Sequence, residues 1–468
     1  MKVKVKRVAA VLLIFLFVLG IAQPLVLETE GQQSSLVIDQ SYWLRLANNA
    51  WNYYQPGAGF DSTTGLHSAG LGYLYFTDWD LGIYIQAIID ATKLGILSAN
   101  GTLGADDRLN RIVTFLDSRQ LSSNGEPYAT YQTATGDPYG TDVQDAADAG
   151  ALLVALSNLR VFRPDFTVTI DSIVYNRTNY VPFEQAVDAL TKSTSLYDYY
   201  VANGFADFWP NPSSNVAATI LNNIASAPTV STYGVALPIS DLSCEPVLLC
   251  VFNLAPNALV NGIANQLYLA QQARYNATGK FTAFTEGNTG LPNPSYIYEW
   301  VVDDDGSTWT INSVTGQENV SLTPIIYYKA AVGLLALNDT SYTESMASYL
   351  ESMLPTPTSG YADGVDENGR VDKSVIDKTN GMIIEAALYA INSRNFPTTS
   401  PKPSADQPGM NAMENWVILA IIAGIVVVGF GLFVKILIGF KRGKSSKPQF
   451  TLNCSCAPLE HRYFFDPS

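Results

Sequence analysis

Apolar positions recur every three or four residues along most of the chain between residues 40 and 395, and strict two-residue alternation is scarce. Trp43, Leu46, Ala47, Ala50, Trp51 and Tyr54 fall on one stripe of a helix predicted over 42–54. Residues 80–97 are mostly apolar and stop near Gly95. Residues 106–119 open with two acids and close with Arg119, the charge order that suits a helix macrodipole. Residues 142–159 carry Asp142, Asp145 and Asp148 at a spacing that puts all three on one helical face, followed by a wholly apolar run. The pattern predicts further helices over 182–202, 215–225, 256–275, 322–337, 341–354 and 379–391. The stretches between are long and rich in Gly, Pro, Tyr, Asp and Asn, and loops of that kind in a compact domain tend to face a ligand. Paired helices with few strands allow a closed α/α ring or an open solenoid. No sequence repeat of about 34–47 residues is present, which argues against a solenoid. The expected fold is therefore all-α: an (α/α)6 toroid with long loops over residues 36–396.

The two ends read differently. Lys2, Lys4, Lys6 and Arg7 precede an apolar run over 8–19 and then Gly20-Ile21-Ala22, the pattern of a signal peptide (1–22) cut after Ala22. An uncleaved anchor is the alternative, and either one exports the body. Residues 397–415 begin with a Pro- and Ser-rich stretch that reads as an extended linker. From Trp416 to Val434 there is no charge, and Lys441, Arg442 and Lys444 follow. Residues 416–440 are thus expected to be one transmembrane helix, with its cationic flank and a 441–468 tail in the cytosol. The expected localisation is the cell membrane, single-pass type I, with the lipid bilayer as partner of 416–440 and the ectodomain outside. Asn100, Asn176, Asn276, Asn319 and Asn338 head glycosylation sequons, and Cys244 and Cys250 are expected to form a local disulfide in the exported part.

Charge and composition narrow the chemistry. The 468-residue chain has net charge −15, but residues 8–397 hold 16 Lys and Arg against 38 Asp and Glu, a balance of −22. Such a body excludes nucleic acid as a partner, because phosphate binding needs clustered cations. The two histidines are His67 and His461, too few for a multi-histidine zinc site. Hydrolytic chemistry would have to run on carboxylates.

The order of motifs carries a resemblance. Trp51-Asn-Tyr-Tyr, Gly65-Leu66-His67, and Thr77-Asp-Trp-Asp-Leu-Gly82 opening a helix resemble the start of a prokaryotic domain family of unknown function related to glucoamylase-like (α/α)6 glycosidases. Gly204-Phe-Ala-Asp-Phe208, Tyr298-Glu-Trp300, Gly360-Tyr361 and Thr379-Asn380-Gly381 follow in the same order, so the likeness covers most of residues 40–395. It implies a carbohydrate-related ectodomain, with Asp80 at the position of that family's Trp-Asp acid.

Glycoside hydrolysis needs a protonated carboxyl for the leaving oxygen and a second carboxylate, about 6.5–9.5 Å away for inversion or about 5–5.5 Å for retention. Glu299, between Tyr298 and Trp300, is the first candidate for the acid, since aromatic neighbours desolvate a carboxyl and raise its pKa. Asp80 is the candidate partner, although an Asp there also suits a helix cap. Asp78, Trp79, Tyr298, Trp300, Asp145, Tyr361 and Glu367 are expected to bind substrate, with aromatic faces stacking on sugar rings and polar groups bonding the hydroxyls. Asp303, Asp304 and Asp305 before Gly306 read as a solvated turn or as ligands for Ca²⁺. The stretch from Asp363 to Asp372 alternates oxygens without an EF-hand's spacing and leaves a looser Ca²⁺ site open. The leading expectation is a membrane-anchored extracellular carbohydrate-active protein, a glycoside hydrolase-like enzyme of two carboxylates that acts on a polysaccharide or glycan. The alternative is a non-catalytic glycan-binding or cell-envelope structural ectodomain.

Overall fold

The computed structural model describes residues 37–394, apart from 211–212 and 314–318. The expected signal peptide, linker, transmembrane segment and tail lie outside the described residues, and no described helix is long and apolar enough to cross a membrane.

Six helices form a closed inner ring: α2 (Asp78–Lys93), α4 (Ala146–Phe162), α7 (Leu196–Phe208), α9 (Cys244–Asn253), α11 (Tyr328–Leu337) and α13 (Asp377–Ser393). Each packs on the next, and α13 packs back on α2. Their sequences explain the position: α2 buries almost every residue from Asp78 to Ala91, and a helix that is apolar all round belongs inside. Gly150 and Gly204 let α4 and α7 meet backbone to backbone, since a Cβ on Gly204 would stand 2.2 Å from the Gly150 carbonyl oxygen.

Outer helices cover the ring. Helix α1 (Gln40–Trp51) packs on α13, and α3 (Ala105–Ser118) on α2. The short α5 (Thr167–Ser172) and α6 (Val181–Asp188) cover α4, while α8 (Ser213–Ser226), α10 (Ala258–Thr278) and α12 (Ser341–Met353) cover α7, α9 and α11. These helices are amphipathic: α3 buries Ala105, Arg108, Leu109, Ile112, Val113 and Leu116, a single stripe. The described body is the (α/α)6 toroid that the periodicity implies.

The two sides of the ring are unequal. Most connections from an inner to the next outer helix are short, such as 254–257 and 338–340, with 94–104 the longest among the described residues. Connections from outer to inner carry every strand: β1 (Tyr75–Phe76), β2 (Tyr131–Gln132), the hairpin β3 (Thr229–Thr232) and β4 (Val235–Pro238), β5 (Glu286–Asn288), β6 (Tyr296–Val302), β7 (Thr308–Ser313), β8 (Ile325–Tyr327), β9 (Gly364–Asp366) and β10 (Val371–Asp372). Strands β5–β6–β7 and β8–β9–β10 make antiparallel sheets. All of this structure therefore gathers over the N-terminal ends of the inner helices.

Four expectations change in detail. The helix predicted over 182–202 is two helices, because Ser195 accepts from the Tyr197 N–H and starts α7 afresh. Helix α9 was not expected: Pro246 reads as a loop signal, yet it sits in the first turn, where no N–H is needed. The disulfide is absent, since Cys244 and Cys250 are free and buried in that one helix. Six residues of helical rise separate them by about 9 Å, beyond the roughly 7 Å that a disulfide bridges. Asp142, Asp145 and Asp148 do not share a helical face, because α4 starts at Ala146 with Asp145 as its cap and leaves Asp142 in the loop.

Candidate active site

A cavity of about 440 Å³ opens at the N-terminal ends of the inner helices. Helix α2 contributes Trp79 and Asp80, and Thr77 just before it; α4 contributes Asp148, with Asp145 at its cap; α7 contributes Tyr197, and α13 Lys378. Asp241 comes from the segment before α9, Glu286 from β5, and Tyr298 and Trp300 from β6.

Each placement has a local cause. Thr77 and Asp80 form a capping box, in which Thr77 Oγ1 accepts from the Asp80 N–H and Asp80 Oδ2 from the Thr77 N–H at 2.9 Å. The cap and the cavity position thus belong to the same residue. Antiparallel pairing of β6 turns alternate residues one way, so Tyr298 and Trp300 face the cavity with their rings parallel, 5.5 Å apart and 3° from coplanar orientation. Lys378 Nζ sits 5.3 Å from the centre of the Trp79 ring. It also donates to Glu286 Oε1 at 2.7 Å, an oxygen that accepts from the Tyr296 hydroxyl as well. Beneath, Glu245 is fully buried, pairs with Lys329, and has its other oxygen 4.0 Å from Lys378.

This arrangement drives the carboxyls apart. Burial and the nearby Asp377 push Asp80 up to about 6, against the pull of Lys378. Burial with Asp145, Asp80 and Asp78 around it holds Asp148 well above the usual carboxylate range. Burial and then Asp304 and Asp303 push Asp241 up to about 7. Glu286 goes the other way: burial would raise it, but Lys378 and Lys329 outweigh that and hold it ionised, below the usual carboxylate range. Burial and the Glu286 charge push its neighbour Glu245 up. Behind Asp80, burial drives His67 down to about 4, so the imidazole is neutral beside Asp377, which burial raises to about 7.

Of the residues expected from sequence, the cavity brings together Asp80, Trp79, Tyr298, Trp300 and Asp145. It does not include Glu299. Alternation turns Glu299 to the opposite face of β6 from Tyr298 and Trp300, where it is fully buried and Oε1 accepts from the Ile325 N–H at 2.7 Å. Asp78 is buried away from the cavity in a bidentate ion pair with Arg119, at 2.5 and 3.0 Å. Tyr361 is packed in the core, with its hydroxyl taking a bond from Asn49. Glu367 pairs with Arg274 at 2.5 Å.

Of the two expected calcium loops, the first keeps both of its readings: Asp303 Oδ2 accepts from Thr310 and Asn312 and Asp305 takes the Ser307 N–H in a turn, while carboxylate oxygens of Asp241, Asp303 and Asp304 lie within 4.8 Å of one another, close enough to share a cation. The second is satisfied by protein donors. Asp363 accepts from the Asn288 N–H and Thr379, Asp366 from the Asn368 N–H and Arg370, and Asp372 from Ser374. That hairpin is built by its own carboxylates.

Sequence reasoning missed Glu286, Lys378, Tyr197 and Asp241. Lys378 had a signal, as one of 16 cations in a strongly acidic body and directly before the Thr379-Asn380-Gly381 motif. Glu286 had little, because its strand is three residues long.

Residues 45–393 match a family described as "Protein of unknown function (DUF3131)". No curated protein matches the chain. Among solved structures, the chain is similar to a candidate glucoamylase from Bacteroides fragilis, at 14% identity and a TM-score of 0.55, covering 77% of this chain and 93% of that one. It is similar to an endo-β-1,2-glucanase from Chitinophaga pinensis in complex with sophorotriose and glucose, at 12% identity and a TM-score of 0.52, covering 75% and 92%. It also resembles an endo-β-1,2-glucanase mutant from Talaromyces funiculosus with β-1,2-glucan, at 10% identity and a TM-score of 0.56, covering 77% and 85%. At these identities the likeness establishes the fold.

Proposed function

The chain belongs to the DUF3131 family, and from that premise we propose that it is a glycoside hydrolase-like enzyme, exported and held at the cell membrane by residues 416–440, that acts on a polysaccharide. One observation carries the chemistry: a single cavity holds one carboxyl kept protonatable near neutrality, Asp80, and one kept ionised, Glu286. Two carboxyls pushed apart by their surroundings are the pattern of an acid and its charged partner. Asp80 donates the proton to the leaving oxygen. Glu286, oriented by Lys378 and Tyr296, stabilises the positive charge that develops on the sugar ring or attacks it, and water then adds to the anomeric carbon and returns a proton to Asp80. Trp79, Tyr298 and Trp300 supply faces for sugar rings, and Asp145 and Asp148 acceptors for hydroxyls.

A second reading has an observation of its own. Glu286 Oε1 is engaged by both Lys378 and Tyr296, as it would be in a non-catalytic glycan-binding ectodomain. A hydrolysis assay on a glycan panel that begins with β-1,2-glucan separates the two. The enzyme reading expects release of reducing ends, lost by about 100-fold or more in Asp80→Asn. Retention of glycan on the protein with no turnover on any panel member supports the binding reading and removes the hydrolase.

A further inference from the structure

The opposite mouth of the ring holds a larger cavity, about 620 Å³, that the proposed hydrolysis does not use. It lies where the last turns of α2, α4, α9 and α13 converge. Helix C-termini present unpaired carbonyls and the negative ends of their dipoles, so this mouth attracts positive charge.

A polar chain runs around its wall. Gln86 Nε2 donates to Asp90 Oδ1 at 3.0 Å, Asn158 Nδ2 to Gln86 Oε1 at 3.0 Å and to the Asn253 carbonyl at 3.2 Å, and Asn253 Nδ2 to Glu385 Oε2 at 3.2 Å. Asp90, Asn253 and Glu385 are 3%, 9% and 2% exposed. Two acceptors at the end of this chain, Glu385 Oε1 and Asn253 Oδ1, are buried with no donor. Buried acceptors are ordinarily satisfied, and a buried carboxyl oxygen without a partner is costly. Lys93, the one cation among the described lining residues, approaches Asp90 at 3.7 Å from a side chain that is 46% exposed.

We infer that this second mouth is a binding site for a hard divalent cation of the Ca²⁺ class, held by Asp90, Glu385 and Asn253 Oδ1. The donor set is all oxygen, with no histidine or cysteine among the lining residues, which selects against zinc. Calcium accepts irregular oxygen shells of six to eight ligands, and the cavity has room for the waters that would complete one. Magnesium demands a tight octahedron and fits less well. An ion here ties α2, α9 and α13 together, so its role is to brace the ring, and the site is separate from the cavity around Asp80.

The test uses the full chain, stripped of ions and titrated with calcium chloride, read by calorimetry and by thermal unfolding. Saturable binding with a rise in Tm is expected. Both should disappear in Asp90→Asn/Glu385→Gln, whose side chains keep the size of the originals, and the single Asp90→Asn should weaken binding by about tenfold or more. Asp303→Asn, which opens the separate cluster of Asp241, Asp303 and Asp304 at the other mouth, should leave in place the binding that the double variant loses. Absence of saturable binding to the wild type overturns the proposal. So does a Tm rise that survives in the double variant, or one produced by choline or spermidine but not by calcium.

Discussion

The two mouths of the ring are made from the two ends of the same inner helices, yet they differ in nearly every respect. At the N-terminal mouth the first turns of the inner helices supply Trp79, Asp80, Asp148, Tyr197 and Lys378, and long strand-bearing connections add Asp241, Glu286, Tyr298 and Trp300 to the same cavity. At the C-terminal mouth the connections are short, and the wall is made by amide and carboxyl side chains of the helices themselves. The first mouth holds a largely buried cation, Lys378, against Glu286, whereas the cation at the second, Lys93, is half-exposed and two buried acceptors there, Glu385 Oε1 and Asn253 Oδ1, have no protein donor. The strand-bearing connections add Glu286 and the Tyr298 and Trp300 rings to what the helix ends already present, and that addition is why the elaborated side carries the proposed chemistry.

The largest effect that would sharpen this contrast is on turnover. Asp80→Asn should lower hydrolysis by about 10²- to 10⁴-fold, while Glu385→Gln at the other mouth should leave the initial rate unchanged, both measured in the presence of calcium. Next in size is stability near the first mouth. Asp78→Ala leaves Arg119 buried without its bidentate partner and should destabilise by about 3–5 kcal/mol in denaturant unfolding.

A pH dependence follows from the raised carboxyls. Asp80 at about 6 and Asp377 at about 7 bind their protons more tightly folded than unfolded. Between the unfolded value of 3.8 and those folded values the native state carries more protons, so stability falls as pH rises. Their contribution is fully present below about pH 4 and lost as pH climbs through about 7, which a Tm series from pH 5 to 8 would read as a decline. Asp80→Asn should flatten the lower part of that decline. The smallest effect expected is from Thr77→Ala, which removes half of the capping box and should cost about 1 kcal/mol.

The helices were legible because burial on one stripe or on all sides leaves a period that survives in sequence. The site was legible only in part. Glu299 was chosen for its aromatic neighbours, but in a strand the residues at i±1 face away from it, so the two rings that were to desolvate it line the cavity and it does not. Asp78, expected to bind substrate beside Asp80, does not reach the cavity for a related reason: two residues along a helix turn about 200°, which sends one into an Arg119 ion pair and the other to the cavity. Glu286 lies on β5 and Lys378 in the first turn of α13, 92 positions apart, and no local pattern announces their meeting. Helix α9 was hidden by Pro246, a residue that marks a break everywhere except in a first turn.

The central claim, that hydrolysis is run by the carboxyls of the N-terminal cavity, is tested most directly by comparing Asp80→Asn with Glu299→Gln on the glycan that the wild type cleaves. Asp80→Asn is expected to lose turnover, and Glu299→Gln, altered on the far face of β6, to keep it. Full activity in Asp80→Asn, or a loss confined to Glu299→Gln, would contradict it.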